Sequence, residues 1–74
     1  MKYIVMEIQT NFDGTVGNIV TSYNNQADAE SAYYLILAAA VKSNLMMHTA
    51  MLFTNDGNVI MSKNYVHEQQ PNNE

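Results

Sequence analysis

Five tyrosines, two histidines and three lysines are the residues of this 74-residue chain that could recognise a ligand or move a proton. Tyr33 and Tyr34 are adjacent on a helical stretch, so their side chains point about 100° apart. One can face the protein's own sheet while the other meets a partner or a ligand. Tyrosine rings stack well on nucleobases, and their hydroxyls seek partners when buried. Tyr65, Lys42 and Lys63 could join them, with aromatic surface for a planar group and cations for an anionic one. His48 opens a strand just after the helix and is a candidate base or ligand donor. The expected ligand-binding residues are therefore Tyr33, Tyr34, Lys42, His48, Lys63 and Tyr65.

Other chemistry finds little support. There is no Gly-x-Ser-x-Gly elbow and no glycine-rich phosphate loop, so no catalytic residue is assigned and the chain is read as a non-enzyme without a cofactor. His67-Glu68 could act as base and orienter, but they are neighbours at the edge of a polar tail. Asn11, Asp13 and Gly14 faintly suggest a calcium loop that lacks its remaining acidic ligands and closing Glu. With no cysteine and two separated histidines, no metal site is expected. The net charge of −4, with no arginine, argues against generic DNA or RNA binding, which needs clustered basic residues.

The elements that must position these residues alternate clearly. Lys2 to Thr10 reads as a strand with Ile4, Met6 and Ile8 on one face. Asp13-Gly14 supplies the positive φ of a hairpin turn, and Val16 to Tyr23 returns. Asn25 is a helix N-cap, with Asp28 and Glu30 suited to the first turn. The helix is expected to run to about Ser43, with Lys42 at its C-terminal end and Asn44 as a left-handed cap. Met47 to Thr54, the turn at Asp56-Gly57 and Val59 to Val66 form a second hairpin. Thr10-Asn11-Phe12-Asp13-Gly14-Thr15-Val16 and Thr54-Asn55-Asp56-Gly57-Asn58-Val59 make a faint internal repeat with one residue deleted.

The expected fold is α+β, in the order β-β-α-β-β: a four-stranded antiparallel sheet, strand order 2-1-3-4, with one helix packed across one face. A single domain over 1–66 would be followed by a disordered tail, 67–74. Tyr3 and Val5, with either Met51 and Phe53 or Leu52, are expected on the uncovered face.

The run Ala32-Tyr33-Tyr34-Leu35-Ile36-Leu37-Ala38-Ala39-Ala40-Val41 has neither charge nor amide. A surface helix shows one apolar stripe, and this one reads as apolar nearly all round. A chain this short buries only about 60% of its unfolded surface, and small domains compensate with disulfides, metals or oligomers. Oligomerisation is the route left, and Leu35, Leu37, Ala38 and Val41 are its expected interface. The run is short of the roughly 20 residues that cross a bilayer, and Met1-Lys2-Tyr3-Ile4-Val5-Met6-Glu7 is not a signal peptide. A soluble cytoplasmic protein without membrane association is expected.

Met1-Lys2-Tyr3, Glu7-Ile8-Gln9-Thr10, Asp13-Gly14-Thr15-Val16-Gly17-Asn18, Ala29-Glu30, Leu37-Ala38-Ala39-Ala40 and Tyr65-x-His67-Glu68 resemble a group of small uncharacterised accessory proteins of phages and prophages of gut Firmicutes. That group has Tyr then His where this chain has Tyr33-Tyr34, and a Pro near Met46. The resemblance implies a setting in the host bacterial cytoplasm and no established activity. Small phage proteins of this kind often antagonise host defence, some by sequestering nucleotide signals at subunit interfaces. The leading expectation is a homo-oligomer that sequesters a nucleotide-type signal. The alternatives are an inhibitor that binds a host defence effector or nuclease, and a phage structural or assembly factor.

Overall fold

The computed structural model describes residues 1–68. Strand β1 (Tyr3–Thr10), strand β2 (Val16–Tyr23), helix α1 (Gln26–Ala40), strand β3 (Met47–Thr54) and strand β4 (Val59–Val66) follow one another. All neighbouring strands pair antiparallel in the order β2-β1-β3-β4, and α1 packs mainly over the central β1 and β3. The α+β architecture is thus the one the alternation of turns and apolar runs predicts.

The two hairpins use the same turn. Gly14 N–H donates to Asn11 C=O (3.0 Å) and Asn11 N–H to Thr15 C=O (2.9 Å); Gly57 N–H donates to Thr54 C=O (2.9 Å) and Thr54 N–H to Asn58 C=O (3.0 Å). Both glycines have φ of 92°, which side chains rarely adopt. Asp13 accepts from Thr15 N–H (2.9 Å), and Asp56 from Asn58 N–H (3.4 Å) and from the Thr54 hydroxyl. Asn11 is therefore the counterpart of Thr54 and Phe12 of Asn55, so the repeat aligns without the deleted residue. Glu7 and Ala50, which pair across β1 and β3, occupy equivalent positions of the two hairpins.

Asn25 caps the helix as expected: its Oδ1 accepts from Asp28 N–H and its Nδ2 donates to Asp28 Oδ2, both at 2.9 Å. At the other end the helix stops earlier than expected. Lys42 N–H donates to Ala39 C=O and Ser43 N–H to Ala40 C=O, both 3.2 Å, so the last bonds tighten to three-residue turns. Lys42 lies beyond the helix. Asn44 is not left-handed, because among the described residues only Gly14 and Gly57 have positive φ. The chain leaves the helix through these three-residue turns instead of a left-handed cap.

The helix is more one-sided than its hydropathy suggests. Ala29, Tyr33 and Ala40 are buried, and Ala32, Ile36 and Leu37 are partly buried against the core that Val5, Ala50 and Leu52 form on the sheet. These six helix positions recur at three- and four-residue steps, one face of an α-helix. Leu37 is therefore a core residue and not part of an outward interface. Leu35 is 70% exposed, with Ala38 and Val41 also exposed. Tyr3 and Val5 lie on the helix side, contrary to expectation, because Val5 pairs with Leu52 beneath α1. The uncovered face carries Ile4, Met6 and Ile8 of β1 with Met51 and Phe53 of β3, all only half-buried.

His67 remains tied to the domain: its N–H donates to Met46 C=O (2.8 Å) and its ring Nε2 meets Ala40 C=O at 2.9 Å. The rest of the expected tail, 69–74, lies outside the described residues. No described helix is long and apolar enough to cross a membrane.

Candidate ligand-binding site

Strand alternation places Glu7 and Gln9 of β1, His48 and Ala50 of β3, and Met61, Lys63 and Tyr65 of β4 on the helix side of the sheet. His48 is the centre of this group and is only 3% exposed. Its Nε2 lies 2.6 Å from Glu7 Oε2, which also accepts from Gln9 Nε2 at 2.9 Å. A carboxylate only accepts, so Nε2 donates to Glu7, and the role of the second ring nitrogen, Nδ1, follows the tautomer. That Nδ1 and the hydroxyl of Ser43 are both buried without a protein partner. Burial would push the Glu7 carboxyl up, but the Gln9 amide and the His48 imidazole, with its charge when protonated, outweigh it and hold the carboxyl below its ordinary value.

Beside this pair is an aromatic and cationic row. Tyr65 pairs across the strands with His48, and Lys63 Nζ sits 5.4 Å from the Tyr65 ring centre. Tyr33 is buried and contacts Tyr34 edge-on, with ring centres 5.2 Å apart and planes at 77°. Burial, with Tyr34 and Tyr65 adding to it, pushes the Tyr33 phenol above its usual value. Tyr34 is 56% exposed, and its hydroxyl reaches Met61 Sδ at 3.6 Å. Tyr34 thus lies over β4 at Met61, and Lys63 and Tyr65 follow on the same face at two-residue steps, about 7 Å each.

Of the residues expected to bind a ligand, five gather here: Tyr33, Tyr34, His48, Lys63 and Tyr65. Tyr33 and His48 form the buried floor, while Tyr34 and Lys63 are open to solvent. Lys42 is exposed past the end of α1 and has no side-chain hydrogen bond or ion pair to these residues. His67 turns its ring to Ala40 and not to Glu68, so the two do not form a base and orienter pair. Glu7 and Gln9 escaped the sequence reading. Glu7 shares its face with Tyr3 and Val5, and only the pairing of Val5 with Leu52 beneath α1 shows that this face is covered and that the carboxylate needs a donor.

A concavity of about 370 Å³ opens on the uncovered face and is lined by Met47, Thr49, Met51, Ser62, Lys63 and Asn64. It is broad and methionine-rich, with Asn64 Nδ2 held on Met47 Sδ at 3.2 Å. Among the described residues no cluster of His, Asp and Glu could hold a metal ion. No family model, curated protein or solved structure matches the chain.

Proposed function

We propose that the chain is a small non-enzymatic binding protein that works as a homo-oligomer and takes a nucleotide-type ligand along the seam between α1 and β4. The observation that carries this reading is the row Tyr34, Lys63 and Tyr65, an exposed ring and an exposed ammonium beside a second ring on one face of one strand. A planar base stacks on a tyrosine ring while a phosphate pairs with the ammonium. One lysine in a chain of net charge −4 matches a ligand of low phosphate charge, held at the seam of each copy separately. In the phage setting that the resemblance implies, such binding would sequester a nucleotide signal of host defence in the bacterial cytoplasm. Titration calorimetry against cyclic mono- and dinucleotides and ADP-ribose derivatives tests it. Micromolar binding that is lost in Lys63→Ala and Tyr34→Ala is the expected result, and flat heats across that panel overturn the reading.

A second reading is direct inhibition of a host defence protein. The apolar uncovered face, with Ile4, Met6, Ile8, Met51 and Phe53, favours it, since patches of this kind mark interaction surfaces. Capture of one defined effector by the parent chain, abolished by Met6→Asp with Tyr34→Ala still competent, would select this reading over the first.

A further inference from the structure

The two edges of the sheet differ in a way that points to a partner. A strand edge offers unpaired N–H and C=O groups, and proteins that stay single guard it with lysine, proline, bulges or inward charges. The β4 edge is guarded: it carries Lys63, and its pairing with β3 shifts register between Leu52 and Phe53. The β2 edge has none of these devices. Val16–Tyr23 is eight residues long, holds no charge and no proline, and pairs with β1 without a register break. Nearly all of it is exposed, Val20 to 55%.

The hairpin fixes which groups point outward. Asn11 N–H bonds to Thr15 C=O, and hydrogen-bonded pairs alternate from there, so Gly17, Ile19 and Thr21 spend their N–H and C=O groups on β1. The outward groups belong to Val16, Asn18, Val20 and Ser22.

We propose that β2 docks a second copy of this chain, the two β2 strands pairing antiparallel about a two-fold axis at Val20 and merging two four-stranded sheets into one. The strand is self-complementary in that register. Val20 meets its own counterpart, and Asn18 of each copy stands opposite Ser22 of the other, an amide against a hydroxyl. Ile19 meets Thr21 on the helix side. No charge is buried, although each chain carries a net −4, so the uncharged edge is where two copies meet with least repulsion. Both helices fall on one side, and the two apolar faces become one continuous surface on the other.

The inference rests on the reading of the chain as a homo-oligomer and adds the edge through which it forms. The test combines light scattering with cross-linking. The parent should scatter at an even multiple of 8.3 kDa, and Val20→Lys should halve that mass while keeping the parent circular dichroism. Asn18→Pro removes an outward N–H only, and should do the same. The chain has no cysteine, so Val20→Cys gives a single thiol about 5.5 Å in Cα distance from its counterpart, within disulfide reach. Oxidation should convert it almost wholly to a covalent dimer, whereas Val59→Cys on the guarded edge, 51% exposed in the parent, should remain without a cross-link. A parent mass of 8.3 kDa overturns both the pairing and the oligomeric reading. A parent oligomer that Val20→Lys leaves intact, with no Val20→Cys cross-link, overturns the pairing alone.

Discussion

His48 Nε2 and Glu7 Oε2 meet at 2.6 Å, although the two residues are not cross-strand partners: Glu7 stands opposite Ala50, and His48 opposite Gln9. The contact is diagonal, beside the fully buried Ala50. Hydrogen bonds to a charged group of this kind contribute about 1.5–3 kcal/mol. Glu7→Ala should therefore lower the melting temperature by about 10 °C in a domain of this size.

The same pair sets an acid limit. The folded state holds Glu7 below its unfolded value, so its contribution is complete above the unfolded carboxylate range, about pH 4.3, and is lost as pH falls through the folded value. Urea unfolding of the parent should show stability falling below that range. Glu7→Gln should flatten this limb, and an unchanged acid slope in the variant would show that other carboxylates carry it.

The two tyrosines of the helix should behave oppositely. Tyr33→Ala empties a buried site and should cost about 3–5 kcal/mol by chemical denaturation, as large aromatic truncations do. Tyr34→Ala should stay within about 0.5 kcal/mol, as for an exposed position, and act on ligand binding. Because Tyr33 ionises later when folded, stability should fall as pH rises above the unfolded tyrosine value of about 10. Absorbance at high pH should show one phenol titrating late, and its early titration would place the ring in solvent.

The matched turns give a symmetric pair of tests. A Cβ on Gly14 or Gly57 would meet nothing within 4 Å, so only the backbone resists substitution. Gly14→Ala and Gly57→Ala should each cost about 1–2 kcal/mol for a left-handed non-glycine residue. They lie at opposite ends of the sheet and should add within about 0.5 kcal/mol in the double variant, read from denaturation midpoints.

Leu35→Glu and Leu37→Glu separate the two sides of the helix. Leu35 points to solvent and its glutamate variant should melt within a few degrees of the parent. Leu37 packs on the core, and its variant should lose most cooperative unfolding, because a carboxylate there is desolvated without a donor.

What the sequence revealed was whatever is enforced locally. Asp13-Gly14, Asp56-Gly57 and the Asn25 cap each reflect a backbone demand satisfied within a few residues, and these placed every element. The faces were harder. Tyr3 and Val5 alternate with Ile4 and Met6, apolar against apolar, so periodicity alone does not say which side the helix covers. On α1 and its C-terminal cap, Tyr34, Leu35, Ala38 and Val41 are nearly as apolar as the inward residues, and hydropathy loses the contrast that spacing alone retains. In the candidate site, His48, Lys63 and Tyr65 were visible by residue type. Glu7 was not, because its partner lies 41 residues away and is brought near only by the central strand pairing.

That central pairing also governs how the chain reaches its fold. Each hairpin can zip on its own, in about 1–10 μs by the usual timescale of such elements. The β1–β3 seam, from Tyr3 with Thr54 to Thr10 with Met47, joins the hairpins across the whole helix and rewards the chain only after that loop is closed. Docking of the two hairpins is therefore the expected slow event, which stopped-flow refolding checks. Substitutions along the seam should slow refolding, while those at the Gly14 and Gly57 turns shift the supply of hairpins ready to dock.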